Sequence, residues 1–182
     1  MIHVALLRGI NVGGNNALPM GDLRRICQEL GLLDPVTYIN TGNVVFAAGP
    51  TDHLALADRM ESAIESEFGF RPRVLVRSGA DIEAIAAAIP ADWTNGPQMK
   101  ADVVYLLDGV DPAAASAQLE PQDGLDHVVL APGAFGWMVA RADATRSGLQ
   151  RILGTPLYRQ STVRNVNTAR RLAALVAQHS GG

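Results

Sequence analysis

The chain has 182 residues, of which 48% are hydrophobic and 18% charged, with a single cysteine and a formal net charge of −3. That length accommodates one large domain or two small ones packed together, and the apolar fraction suffices for an ordinary core. The composition argues against a disordered charged tail, an internal disulfide, a dedicated DNA binder and, with no apolar run near the ~20 residues that cross a bilayer, a membrane span.

Ile2 to Leu7 is a continuous apolar run, the pattern of a strand buried on both faces. A loop rich in Gly and Asn follows, from Arg8 to Asn16. Pro19 suits the first turn of a helix, with Met20, Leu23, Ile26, Cys27 and Leu30 at helical spacing and Gly31 as its stop. Val36 to Ile39 and Val44 to Ala47 read as strands joined by the hairpin chemistry of Asn40-Thr41-Gly42-Asn43. Thr51 is placed to cap a second helix, with Leu54, Ala57, Met60, Ile64 and Phe68 inward and Gly69 at its end. Pro72 to Val76 is a fourth strand. The order β-α-β-β-α-β is the ferredoxin-like plan, in which two helices cover one face of a four-stranded antiparallel sheet.

Ser78-Gly79-Ala80-Asp81 has the form of a capping box ahead of a short helix that Pro90 ends. The remainder repeats the plan. Asp102 to Leu107 is a strand, Asp111-Pro112 opens an Ala-rich helix, and His127 to Leu130 and Phe135 to Ala140 form a hairpin. Arg146 to Leu153 reads as a helix, Thr162 to Arg164 as a strand, and Asn167 as the cap of a last amphipathic helix. The expected architecture is therefore α+β, with two ferredoxin-like halves, residues 1–78 and 79–182, packed as one unit.

Charge is unevenly spread. From Arg141 to Arg171 seven Arg stand against one acid, Asp143, a formal +6, which leaves −9 on the first 140 residues. All basic residues are Arg except Lys100. Arg presents a planar fork suited to carboxylate and phosphate.

The Leu-Leu-Arg-Gly-Ile-Asn-Val-Gly-Gly run from Leu6, the Leu-Pro-Met at 18–20, and Tyr-Ile-Asn-Thr-Gly-Asn-Val-Val-Phe from Tyr38 resemble the domain-of-unknown-function family DUF1697. Ser161-Thr162-Val163-Arg164-Asn165-Val166-Asn167-Thr168 is similar to that family's closing motif, with Val166 where it usually carries Trp. Gly148 stands where the family commonly has Lys. The resemblance extends over nearly the whole chain and implies a bacterial, cytoplasmic α+β protein. It brings no activity, substrate or catalytic residue with it.

The Gly9 to Asn16 loop lies between a strand and a helix, the setting in which backbone N–H groups and a helix N-terminus hold an anion. It lacks the Gly-Lys-Ser/Thr of a Walker loop and the spacing of a dinucleotide fingerprint. A loop that needs glycine for positive φ explains the same residues equally well. The residues Arg8, Gly9, Asn11, Gly13 and Gly14, with Asn40 and Asn43 of the second turn and Arg146, Arg164 and Asn165 of the basic C-terminal region, form the candidate ligand-binding set. The expected ligand is a small anion: a nucleotide, phosphate or carboxylate metabolite. An enzyme of unidentified reaction and a nucleic-acid or protein-interaction module remain as alternatives.

Catalytic constellations are weak. The four histidines (3, 53, 127, 179) are scattered without metal spacing, so no metal is expected, and no cofactor is indicated. Cys27 falls on a core face. Glu61 and Glu65 read as solvated charge. The β-α-β-β-α-β order is also that of an RNA-binding RRM, but the strand 43–47 carries one aromatic and no basic-Gly-aromatic start, which argues against nucleic acid. The expected location is the cytoplasm, since no basic stretch precedes an apolar segment at Met1-Ile2-His3-Val4. Oligomeric state is not encoded in any feature found.

Overall fold

The structure, a computed structural model, describes residues 1–180. The chain divides into two compact units, one formed by Met1–Ile82 with the chain from Leu172, the other by Glu83–Arg171.

The first unit holds β1 (Ile2–Arg8), α1 (Met20–Glu29), β2 (Leu33–Tyr38), β3 (Asn43–Ala47), α2 (His53–Phe68) and β4 (Arg73–Ser78). Its four strands run antiparallel in the order β2-β3-β1-β4, the ferredoxin-like arrangement. Alternation sends Ala5, Leu7, Val44, Phe46, Val74 and Val76 toward the helices, where they meet Leu23, Ile26 and Cys27 of α1 and Leu56, Met60 and Ile64 of α2. Each of the Val, Leu, Ile, Phe and Met side chains among them contributes about 1.5–3 kcal/mol on burial. The opposite face, with Val4, Leu6, Val45 and Leu75, is buried as well. This is why β1 reads as an unbroken apolar run and not as an alternating one.

The second unit begins within α3 (Gly79–Ala88) and repeats the order with β5 (Met99–Leu106), α4 (Pro112–Ala117), β6 (His127–Ala131), β7 (Ala134–Ala140) and β8 (Ser161–Asn165). Its sheet order is β6-β7-β5-β8, so the fold is α+β with two ferredoxin-like halves and a C-terminal helix, α5 (Val166–Ser180). Val104, Leu106, Phe135 and Trp137 pack with Leu119, Leu149, Ile152 and Leu157 in its core.

Several local expectations need correction. The cap of α2 is Asp52, whose carboxylate accepts from Leu54 N–H at 2.8 Å and Ala55 N–H at 3.1 Å, and not Thr51. With that phase Leu54 points outward, 62% exposed, and Leu56 takes the inward place. Glu61 is buried, because its carboxylate accepts from the Val74 N–H at 2.9 Å and from Arg71 Nε at 3.1 Å. The helix expected over 146–153 is replaced by three 3-10 turns, Arg141–Asp143, Gly148–Gly154 and Pro156–Gln160. Two glycines and a proline in that stretch disfavour a continuous α-helix. α5 is capped by Asn165, whose Oδ1 accepts from Thr168 N–H at 2.9 Å, while Asn167 Nδ2 donates to the Asn95 carbonyl at 3.0 Å.

Candidate functional site

β1 and β2 are both antiparallel to β3, so they run in the same direction and end at the same sheet edge. The loop after β1 and the turn after β2 therefore meet. Asn11 ties them together. Its Nδ2 donates to the Asn40 carbonyl and the Leu18 carbonyl, each at 2.9 Å, while its Oδ1 accepts from Leu18 N–H at 2.8 Å.

The loop is a miniature hairpin. Asn15 N–H donates to the Val12 carbonyl at 3.0 Å across Gly13 and Gly14, whose φ values are 58° and 78°. Positive φ at both central positions defines a type I′ turn, which is why two glycines stand there. Asn11 N–H donates to the Asn16 carbonyl at 3.0 Å, and Asn16 Nδ2 returns to the Gly9 carbonyl at 2.8 Å. The second turn abuts the first. Leu7 N–H donates to the Gly42 carbonyl at 2.8 Å, and a Cβ at Gly42 would lie 2.6 Å from Ile10 Cδ1 and 2.8 Å from Leu7 Cβ.

This hairpin separates two clefts. The first, of about 340 Å³, is lined by Asn11, Gly14, Asn15, Leu18, Pro19 and Asn40. It opens on the start of α1, whose N-cap is Pro19 and which has no side-chain cap. The first N–H groups of a helix have no partner inside it and carry its positive end. Among the described residues, the Gly13 and Gly14 N–H groups and the side-chain amides of Asn15 and Asn40 make no hydrogen bond within the protein. The second cleft, of about 310 Å³, is lined by Arg8, Gly9 and Asn16 with Glu61, Arg71 and Arg73. There Arg71 is held by Asp58 at 2.6 Å, Glu61 at 3.1 Å and Glu65 at 2.9 Å, so much of its charge is already matched.

The candidate set thus divides. Asn11, Gly14 and Asn40 line one cleft, Arg8 and Gly9 the other, and Gly13 forms the turn tip. Asn43 is fully buried, with Nδ2 on the Tyr38 carbonyl at 2.9 Å and Thr41 Oγ1 at 3.0 Å, bracing the turn from inside. Arg146, Arg164 and Asn165 belong to the second unit. Arg146 is exposed and pairs with Asp143 at 3.0 Å. Arg164 is buried within β8, donating to Thr162 Oγ1 at 3.1 Å and the Val163 carbonyl at 2.9 Å. Burial pulls its guanidinium down to about 10, against the opposing influence of Tyr105. Asn15, Leu18 and Pro19 escaped the sequence reading as cleft residues. The usable signal was a helix start with Pro and no Ser, Thr, Asp or Asn at its cap.

Nucleophiles are engaged elsewhere. Cys27 is buried and desolvation raises its thiol well above the usual range. Ser147 Oγ donates to Asp126 at 2.6 Å, and that carboxylate also accepts from Trp137 Nε1 at 3.0 Å, Gly148 N–H at 2.9 Å and Gln122 N–H at 2.9 Å. Among the described residues there is no group of three or more His, Cys, Asp and Glu able to hold a metal ion, and no helix long and apolar enough to cross a membrane.

Two ferredoxin-like halves with a polar cleft at the end of the first sheet define an α+β protein of a recognisable class. The chain belongs to the family DUF1697, described as a protein of unknown function, whose model matches residues 1–135. The conserved bacterial protein SP0830 from Streptococcus pneumoniae has a similar solved structure, with a TM-score of 0.79 and 25% sequence identity over 96% of this chain and 98% of that one. No curated protein matches the chain.

Proposed function

We propose that the chain binds a small anionic metabolite, a nucleotide, phosphate or carboxylate compound, in the cleft between the 11–19 loop and Asn40, and that it does so in the cytoplasm. One observation carries this reading: unspent neutral donors converge on a cleft at the uncapped start of α1. An anion there would receive N–H groups from Gly14 and the first turn of α1 and amide donors from Asn15 and Asn40. A volume of about 340 Å³ lies at the small end of metabolite sites. The reading rests on the first unit alone.

Thermal unfolding in the presence of inorganic phosphate, citrate and adenosine monophosphate, against potassium chloride at equal ionic strength, tests it. A ligand at a hundred times its dissociation constant stabilises by about 2.7 kcal/mol. Asn40→Ala should leave the unliganded protein unchanged, because the side chain has no protein partner to lose, and should weaken the ligand response about tenfold. A panel without response, or an undiminished response in Asn40→Ala, refutes the proposal.

A further inference from the structure

Among the described residues the two open sheets leave four edge strands, β2 and β4 in the first unit and β6 and β8 in the second. An edge strand presents unpaired N–H and C=O groups, and proteins guard such edges with charge, proline, a bulge or a covering segment. Three of the four are guarded. β2 contains Pro35 and slips register between Leu33 and Val36, and its Asp34 carbonyl accepts from His179 Nε2 at 3.2 Å. β4 carries Arg73 and Arg77, and its Val74 N–H is taken by Glu61. β8 carries Arg164 and is buried at Ser161, Thr162 and Arg164. β6, His-Val-Val-Leu-Ala, has no Asp, Glu, Lys or Arg, no proline and no register shift, and its Leu130 is 50% exposed.

Register tells which backbone groups of β6 are free. The Leu106 N–H of β5 donates to the Gly133 carbonyl at 2.9 Å. In the alternation of an antiparallel ladder, Phe135, Trp137 and Val139 therefore bond toward β5, and Ala134, Gly136 and Met138 bond toward β6. The β6 partners of those three are Ala131, Val129 and His127. Val128 and Leu130 are left to turn their N–H and C=O groups to the open edge, and among the described residues no hydrogen bond takes them. Their side chains, opposite Trp137 and Phe135, lie on the core face of the sheet, where Val128 is half-buried and Leu130 reaches past the cover.

We propose that β6 pairs with β6 of a second copy of this chain, antiparallel about a two-fold axis at Val129, so that the two β6-β7-β5-β8 sheets become one continuous sheet. Centred there, Val128 of each copy stands opposite Leu130 of the other, and every outward N–H and C=O group of both residues finds a partner. Val129 meets its own equivalent, and His127 meets Ala131. Charge favours a like partner: β6 holds no carboxylate, ammonium or guanidinium group, so the two-fold sets no such charge opposite itself. α4, which packs over β6, consists of Pro, Ala and Ser and brings no long side chain to the edge. A pair of five-residue strands falls short of the ~1,600 Å² of a standard interface, so the dimer forms and dissociates with concentration. The surface lies in the second unit and is independent of the anion cleft.

The test is sedimentation equilibrium of the full chain from about 1 µM to about 1 mM, the range over which a small interface associates. The expected result is a reversible monomer–dimer equilibrium. Leu130→Lys alters an exposed side chain, so it should fold, which circular dichroism checks, and it should weaken dimerisation at least tenfold. Leu153→Lys, at a leucine 68% exposed in the same unit, should leave dimerisation unchanged. Val129→Cys reads the register. Opposed residues of a non-hydrogen-bonded pair have Cα atoms about 4.5 Å apart, within disulfide reach, so mild oxidation should cross-link this variant at least ten times faster than Leu153→Cys. A chain that stays monomeric throughout overturns the proposal. So does a dimer that Leu130→Lys leaves intact, one that Leu153→Lys weakens equally, or one in which Val129→Cys cross-links no faster than Leu153→Cys.

Discussion

Replacing Gly42 with alanine places a methyl group where the two turns of the first sheet touch. Two costs follow from the structure. The residue has φ of 80°, a left-handed conformation that costs an L-residue roughly 1–2 kcal/mol. The new Cβ would also stand 2.6 Å from Ile10 Cδ1 and 2.8 Å from Leu7 Cβ. Ile10 Cδ1 ends a side chain that can rotate, but Leu7 Cβ is fixed to the central strand. Overpacking of this kind costs about 1–3 kcal/mol, so the total is about 2–5 kcal/mol. Urea unfolding followed by circular dichroism measures it, with an unchanged slope marking a change in stability alone. A double-mutant cycle separates the terms. Ile10→Ala by itself opens a cavity in the core and costs about 2–5 kcal/mol. Combined with Gly42→Ala, the added methyl group fills part of that space, and the pair should destabilise by at least 0.5 kcal/mol less than the sum. It should still fall below Ile10→Ala, because the φ strain and the Leu7 contact persist. Strictly additive losses, or a Gly42→Ala protein within about 0.5 kcal/mol of the parent, would contradict the packing described for the two turns.

Two further outcomes follow from titratable groups, and one from a buried carboxylate. His3 is buried, stacks on Phe46, and has Nδ1 3.2 Å from His53 Nε2; burial, then His53, then the N-terminal ammonium group depress its pKa. The unfolded chain binds that proton near pH 6.5 and the folded chain only at lower pH, so stability falls as pH drops below about 6.5. His3→Phe should flatten the urea midpoint between pH 5 and 7, and an unaltered profile would show that His3 has no part in it. Asp126 titrates in the other sense. Burial would raise its pKa, but the hydrogen bonds from Ser147, Gln122, Gly148 and Trp137 outweigh that and lower it. Its contribution is complete above about pH 4 and is lost as pH falls through the folded value. Asp126→Ala leaves several donors unpaired and should cost about 3 kcal/mol at pH 7, with a shallower acid limb in denaturation curves than the parent. Glu61→Ala strands the Val74 N–H and should cost about 1–3 kcal/mol in the same assay, whereas a fully solvated glutamate would cost almost nothing.

The ferredoxin-like order was legible because strands and helices in the first half carry strong period signals. Leu23, Ile26 and Cys27 kept their spacing, and Gly31 and Gly69 closed their helices where glycine was expected. Cap residues were less legible. Thr51 and Asp52 are adjacent, and Asn165 and Asn167 stand two apart, so a shift of one or two residues along the chain decides which residue caps the helix. Arg164 entered the candidate ligand set because residue type suggests an available cation, whereas a strand position opposite Val103 buries it. The two turns gave no sequence sign of meeting. Their approach depends on the direction of β2 relative to β1, a property of sheet order and not of either turn. Glu61 shows the same limit: residue type and spacing put it on a solvated face, and only Val74 and Arg71, brought in by β4 and the turn before it, explain why its carboxylate is buried.

The two halves share a plan but not the same helical cover. Where α2 supplies 16 residues of regular helix, the corresponding stretch of the second half is three 3-10 turns between Arg141 and Gln160. Such turns have poorer hydrogen-bond geometry and open at low cost. Amide protons from 141 to 160 should therefore exchange with deuterium well before those of α2, so that the second sheet sheds its outer layer while the first still holds its own.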